Sequence, residues 1–159
     1  MEALTLITPN IAFEAEYRAL VAETCAIEGL FMRRAEEDFT TFIKQHARES
    51  RGEGVHEGFV TQSTFWLLRD GLRLLGASRL RHYLTPALVE WGGHIGYNIR
   101  PAEWRKGYGT QLLALTLAQA RMIGLPRVLL MCREENIASK RIIEKNGGKY
   151  SVNPIDFPT

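Results

Sequence analysis

Two glycines two apart, Gly107 and Gly109, follow the cations Arg105 and Lys106 in the stretch Ile99-Arg100-Pro101-Ala102-Glu103-Trp104-Arg105-Lys106-Gly107-Tyr108-Gly109-Thr110. Glycine lets backbone approach a bulky group because no Cβ intervenes. The stretch leads from a strand-like segment into a helical one. A helix N-terminus presents unpaired N–H groups and the positive end of the helix dipole. With two cationic side chains added, the arrangement suits a pyrophosphate. A tight turn that merely caps a helix would use the same residues, and the spacing alone does not separate the two readings. Two commoner phosphate cradles are excluded. Leu112 stands where the dinucleotide fingerprint has its third glycine, and no Gly-Lys-Ser/Thr ending follows.

The surrounding pattern says what must hold this loop. The first 50 residues read as helices, one over Ile11–Ile27 stopped near Gly29 and one over Met32–Arg48 with Phe39, Phe42 and Ile43 on one face. Thr64–Leu68 is a short apolar run of the kind found in a covered strand. Asp70-Gly71 then marks a hairpin into a second strand that runs to about Leu84. Thr85-Pro86 opens a short helical turn to Glu90. His94–Ile99 alternates as a third strand, with Ile95, Tyr97 and Ile99 on one side. A helix over Thr110–Ile123 follows the loop, then a buried strand Val128–Met131, a helix Asn136–Lys145 and a last strand Lys149–Val152. The pattern predicts one mixed α/β domain over residues 1–159, its antiparallel meander running into a parallel pair.

Composition narrows the function. With 159 residues, 45% hydrophobic and 24% charged, the chain suits one globular domain and excludes a disordered or collagen-like polymer. No apolar run reaches the roughly 18 residues of a membrane span, and no secretory leader is read at the N-terminus. Cys25 and Cys132 are too few for a disulfide framework, so a cytoplasmic setting is expected. Cys132, at the end of its predicted strand, is a weaker candidate nucleophile than core residue. His46, His56, His82 and His94 show no metal-ligand spacing, so no metal is expected. The net charge of +2 and the core-like setting of Trp66, Trp91 and Trp104 do not point to nucleic acid. Charge is nevertheless uneven. Residues 1–50 carry nine acidic and five basic side chains, whereas residues 100–149 carry ten basic and four acidic. The basic part suits a polyanionic ligand.

Two blocks together resemble the GNAT superfamily of acyl-CoA-dependent N-acetyltransferases. The strand–Pro–loop–helix above is similar to that family's pyrophosphate loop, Gln/Arg-x-x-Gly-x-Gly/Ala. The segment Asn136-Ile137-Ala138-Ser139-Lys140-Arg141-Ile142-Ile143-Glu144-Lys145-Asn146-Gly147-Gly148 resembles its second cofactor segment. Leu80–Leu84 and Gly92–Tyr97 also resemble a group of bacterial predicted acetyltransferases. The resemblance implies a central mixed, mostly antiparallel sheet flanked by helices and splayed at the cofactor site. It also implies acetyl-CoA as acyl donor and an amine as acceptor. Asn98 and Ile99 would pair with the pantetheine arm, and Arg105, Lys106, Gly107, Tyr108, Gly109 and Thr110 would hold the pyrophosphate. Asn136, Ser139 and Lys140 would line the cofactor from the second helix.

The sequence departs from the family pattern at three places. Trp104 takes the Gln/Arg position, which passes that work to Arg105 or to backbone amides. Ile143 replaces the usual proton-donating Tyr, leaving Tyr97, Tyr108, Tyr150 or water for that role. Eleven residues follow Gly148, room for one strand where the family has two, so a homodimer partner or a missing segment is expected to complete the sheet. The expected reaction is direct attack by a primary amine, with Glu90 and His94 as candidate general bases. Two rival expectations are a non-catalytic acyl-CoA-binding regulatory module and an interaction protein whose glycine loop is only a cap. The acidic N-terminal part favours a cationic amine or peptide N-terminus.

Overall fold

The structure, a computed structural model, describes residues 1–30, 32–35 and 37–151. Strand β1 (Leu4–Ile7) is followed by a 3-10 turn and helix α1 (Glu14–Cys25), helix α2 (Phe39–Ser50), and strands β2 (Gln62–Arg69) and β3 (Arg73–Arg81). Helix α3 (Pro86–Trp91), strand β4 (Ile95–Ile99), helix α4 (Tyr108–Met122) and helix α5 (Ile137–Lys145) complete the order. The four strands lie in sequence order and pair antiparallel throughout.

The local chemistry explains most of these elements. Asp70 and Gly71 both adopt positive φ, 51° and 68°, as a two-residue hairpin turn requires. Asp38 caps α2 by accepting the Thr40 N–H, and Thr85 caps α3 by accepting that of Leu88. Along α1 the buried residues are Tyr17, Leu20, Val21 and Thr24, a helical stripe. That stripe packs with Phe39 and Phe42 of α2 over Trp66, whose ring stacks on Tyr17 at 4.9 Å. On the other face Phe65, Leu67, Leu75, Leu80 and Ile95 meet Leu112 and Leu113 of α4.

One irregularity breaks the β2–β3 ladder. Leu67 pairs with Gly76 but Leu68 pairs with Leu74, so Leu75 is an extra residue on β3, a β-bulge. Leu74 and Leu75 bury in opposite layers by ordinary strand alternation, and the extra residue keeps Leu74 opposite Leu68 in the layer they share. Gly76 sits against β4 so closely that a Cβ there would collide with the Asn98 carbonyl.

Several expectations need correction. Residues 4–7, read as part of a helical N-terminal region, form β1 opposite Trp66–Arg69. The second helix begins at Phe39 rather than Met32, because Asp38 supplies the cap. Val128–Met131 is not a paired strand: one isolated bridge joins Gly93 to Leu130, and no parallel pair forms among the described residues. Lys149–Ser151 are likewise not strand, and Val152 lies outside the described residues. The apolar run at 128–131 is real but short of hydrogen-bonding neighbours, and burial alone does not make a ladder.

Candidate active site

β4 is an edge strand for most of its length. At its start, His94 donates its backbone N–H to the Leu129 carbonyl at 2.7 Å and accepts the Leu129 N–H on Nδ1 at 3.0 Å. Beyond this clasp the sheet gives Ile95–Ile99 no partner except β3 among the described residues. Toward the glycine loop the two segments share no ladder among the described residues, and this gap is termed the splay. Asn98 pairs with Ala77, and the Arg100 N–H donates to the Leu75 carbonyl at 2.7 Å. By antiparallel alternation the backbone of Asn98 turns toward β3, while that of Tyr97 and Ile99 turns to the open edge. The Ile99 carbonyl accepts the Trp104 indole N–H at 2.8 Å. Trp104, at the family's Gln/Arg position, thus closes the outer end of this edge.

The loop between β4 and α4 is bent by two left-handed residues, Arg105 (φ 62°) and Gly107 (φ 84°). Alternation of this kind curls successive N–H groups into an anion-accepting concavity. The N-terminus of α4 begins at Gly107 with no side-chain cap. A Cβ on Gly107 would enter open space, whereas one on Gly109 would lie 2.6 Å from Ile142 Cδ1. The two glycines thus do different work. Gly107 keeps the helix end open, and Gly109 lets α5 pack against α4.

Beneath the loop lies a network of four cations and four carboxylates. Arg100, 1% exposed, donates from Nε to Glu23 at 2.9 Å and from Nη1 to Glu16 at 2.8 Å and to the Leu74 carbonyl at 3.1 Å. Glu103, buried on the 3-10 turn Pro101–Glu103, meets Arg69 at 3.3 Å, Arg73 at 3.5 Å and Lys106 at 2.8 Å. The Glu103 carboxyl is held below its ordinary range, foremost by the Lys106 hydrogen bond. Tyr108 donates its hydroxyl to Glu2 at 2.7 Å and accepts from Arg69. Lys106 and Tyr108 are therefore anchors of the loop, and Arg105, exposed and without an ion pair among the described residues, is its open cation.

Across the splay, Asn136 caps α5 by accepting the Ser139 N–H at 3.1 Å. Ser139 Oγ meets the Tyr97 hydroxyl at 2.7 Å, tying α5 to β4. Burial pushes the Tyr97 phenol up and nearby Cys132 adds to this, against the Ser139 hydrogen bond. Lys140 places its ammonium 6.0 Å from the Tyr150 ring. Thr110 uses its carbonyl to accept from Asn146. Ile143 packs half-buried in the layer of α4 and α5.

The two candidate bases sit differently. His94 is buried, and its Nδ1 already accepts a backbone N–H. Burial and Arg81 both push its imidazole below the usual range. A neutral ring accepting at Nδ1 carries its proton on Nε2, so it has no lone pair left to serve as a base. Glu90 is exposed on α3. Sequence reasoning missed the roles of Arg100 and Glu103; their one signal was a pair of charges at a strand end, beside Pro101. Among the described residues no group of three His, Cys, Asp or Glu is placed to hold a metal. No helix among them is long and apolar enough to cross a membrane.

A family model for the acetyltransferase (GNAT) domain matches residues 14–149, which include both helices of the splay and the loop between them. This chain belongs to the GNAT acetyltransferase family. Its fold is similar to that of RimL, a ribosomal L7/L12 alpha-N-protein acetyltransferase solved with coenzyme A (TM-score 0.64, 15% identity, 90% of this chain and 78% of that one). It is also similar to AAC(6')-Iy in complex with a bisubstrate analogue (TM-score 0.61, 13% identity, 99% and 98%). A third likeness is to yncA from Salmonella typhimurium with its cofactor acetyl-CoA (TM-score 0.57, 17% identity, 91% and 79%). No curated protein matches the chain.

Proposed function

We propose that this GNAT domain binds acetyl-CoA and transfers its acetyl group to a primary amine by direct attack in a ternary complex. The observation that carries the reading is the uncapped N-terminus of α4 at Gly107, reached from the free edge of β4. The backbone amides at 107–110 and Arg105 would hold the pyrophosphate. The outward backbone of Tyr97 and the Ile99 N–H, beside Asn98, would take the pantetheine arm by strand-like pairing, the Ile99 carbonyl being held by Trp104. Asn136, Ser139 and Lys140 would border it from α5. The thioester supplies an activated acyl carbon, which an unprotonated amine attacks without help from a covalent enzyme intermediate. Tyr97 is the proton donor in this scheme: its phenol is kept protonated by burial and faces the splay beside Ser139. Because His94 is committed to Leu129, Glu90 or bulk water is left to take the ammonium proton.

The test is a thermal melt with and without acetyl-CoA, repeated on Gly107→Glu. Ligand at 100 times its Kd stabilises by about 2.7 kcal/mol, or roughly 5–10 °C for a chain of this size. The wild type should shift and the folded variant should not. No shift in either protein overturns the reading. Ile143 at the family's Tyr position favours a second reading, a non-catalytic acyl-CoA-binding module. Cofactor binding without CoA release across a panel of amines would select it.

A further inference from the structure

The two faces of β4 are occupied differently. Ile95 and Ile99 pack in the layer of α4, and Tyr97 is tied to Ser139 of α5, so that face is taken. On the other face Gly96 lies opposite Arg79 of β3, and Asn98 opposite Ala77. Directly opposed residues share a face, and Ala77 belongs to the core under α1 and α2, so all four lie on that side. Gly96 and Asn98 are only half-buried. A molecule that approaches the free edge of β4 therefore has its room on the α1–α2 side.

Arg79 dominates that room. Its guanidinium folds over Gly96, where a Cβ would stand 3.7 Å from Nη2. The side chain is exposed and makes no hydrogen bond or ion pair among the described residues. Desolvation by the surrounding protein nevertheless pushes its pKa down, and Arg33 adds to this, against the pull of Glu49. An exposed but crowded cation sits in a recess rather than on an open surface. Its neighbours are committed elsewhere. Arg81 donates to the Gly93 carbonyl at 2.7 Å, and Glu49 is held by Arg33 at 3.2 Å and by Gln45 and Gln62. The acid of α1 is engaged as well, Glu16 and Glu23 with Arg100 and Glu14 with Arg18. Three arginines thus stand around one carboxylate, an excess of positive charge beside the strand edge.

We propose that Arg79 selects the acyl acceptor by holding the carboxylate of an amino acid, whose amine then lies at the edge of β4. This deepens the acyl-CoA reading and rests on it. A guanidinium presents parallel N–H donors that fit a carboxylate. The Asn98 carboxamide, without a hydrogen bond among the described residues, offers a further polar group on the same face. Gly96 is one residue, about 3.4 Å, from Tyr97, whose backbone turns outward. A carboxylate on Arg79 therefore leaves an amine a few bonds away beside that backbone.

The test follows thiol release from acetyl-CoA by the full chain with glycine, β-alanine, L-alanine, L-leucine and L-phenylalanine, each beside its carboxamide, with rates referred to free amine. At least one acid should exceed its carboxamide by roughly 10- to 100-fold in kcat/KM, the worth of a hydrogen-bonded charge. Arg79→Met should erase that preference and Arg79→Lys should keep part of it. Calorimetry on the CoA-loaded protein should show the same acid binding more tightly than its carboxamide, and melts with acetyl-CoA should shift in all three proteins. With the melt shift present, equal use of acids and carboxamides, no turnover of any acid, or a preference that survives Arg79→Met overturns the proposal and leaves the acyl-CoA reading standing. Absence of the shift in wild type overturns that reading and the proposal with it.

Discussion

Replacing Arg100 by Met tests the physical basis of the loop. The guanidinium is buried and meets two carboxylates and one bulge carbonyl. Its removal leaves three carboxylate-facing cations, Arg69, Arg73 and Lys106, for four carboxylates. Glu16 retains Arg73 at 3.5 Å and the Leu74 N–H at 2.9 Å. Glu23 loses its ion pair, and its Oε2 is already buried without a hydrogen-bond partner among the described residues. Stripping one member from a fully buried ion pair costs about 3–5 kcal/mol. Glu16 and Glu23 are each about a third exposed and regain some water, so the lower end, about 3 kcal/mol, applies. That is a fall in Tm of roughly 6–12 °C. The sign with pH follows. Partial burial pushes the Glu16 carboxyl up, but the Leu74 amide, Arg100 and Arg73 hold it below its ordinary range. Without Arg100 it protonates more readily, so the penalty shrinks as pH falls through the carboxylate range. Calorimetric melts at pH 7.5 and 4.5 read both effects. A drop under about 2 °C at neutral pH, or a gap that does not narrow in acid, refutes the reasoning. Adding Glu23→Gln to the variant should recover part of the loss.

Three further outcomes are expected. Tyr97→Phe should lower kcat by about 10²-fold while leaving KM for acetyl-CoA within a few-fold, and it should remove the alkaline limb of the pH–rate profile; an unchanged profile removes Tyr97 as proton donor. Gly109→Val should destabilise by about 1–3 kcal/mol, because the new side chain meets Ile142 at the α4–α5 contact; Ile142→Ala should relieve it in chemical denaturation. His46, with its folded pKa lowered to about 4 from 6.5, contributes stability that is complete above pH 6.5 and is lost as pH falls toward 4, about 3 kcal/mol in all. His46→Leu should flatten the stability profile over that window, and a profile as steep as wild type would contradict it.

The pattern of residues made the loop, the hairpin and the helices of the splay readable, because each rests on a local rule. Asp70-Gly71 needs left-handed backbone, Asn136 and Thr85 need only their own next turn, and Gly107 needs an open helix end. What stayed hidden depends on contacts distant in sequence. Arg100 finds Glu16 and Glu23 more than 70 residues away. β1 is only four residues long and gains its strand character from pairing with β2. The outward turn of Tyr97 and Ile99 follows from register, which alternation of side chains alone does not fix. His94 looked like a free base in the sequence because its partner, the Leu129 amide, belongs to a segment with no ladder of its own.

The extra residue at Leu75 ties two properties of the chain to a single length. It keeps Leu74 opposite Leu68 next to the Leu67–Gly76 pair and turns the carbonyls of both Leu74 and Leu75 toward Arg100. Deleting that one residue would leave Leu67–Gly76 and Leu68–Leu74 as consecutive pairs of a regular ladder with the other side chains on their own faces, yet the same cut would take away the Leu75 carbonyl that seats the arginine. Length in this strand is therefore under tighter constraint than residue identity. A Leu74→Met or Leu75→Met exchange is a change of filling, whereas losing the extra residue removes at once a side chain of the α4 layer and a carbonyl that holds Arg100.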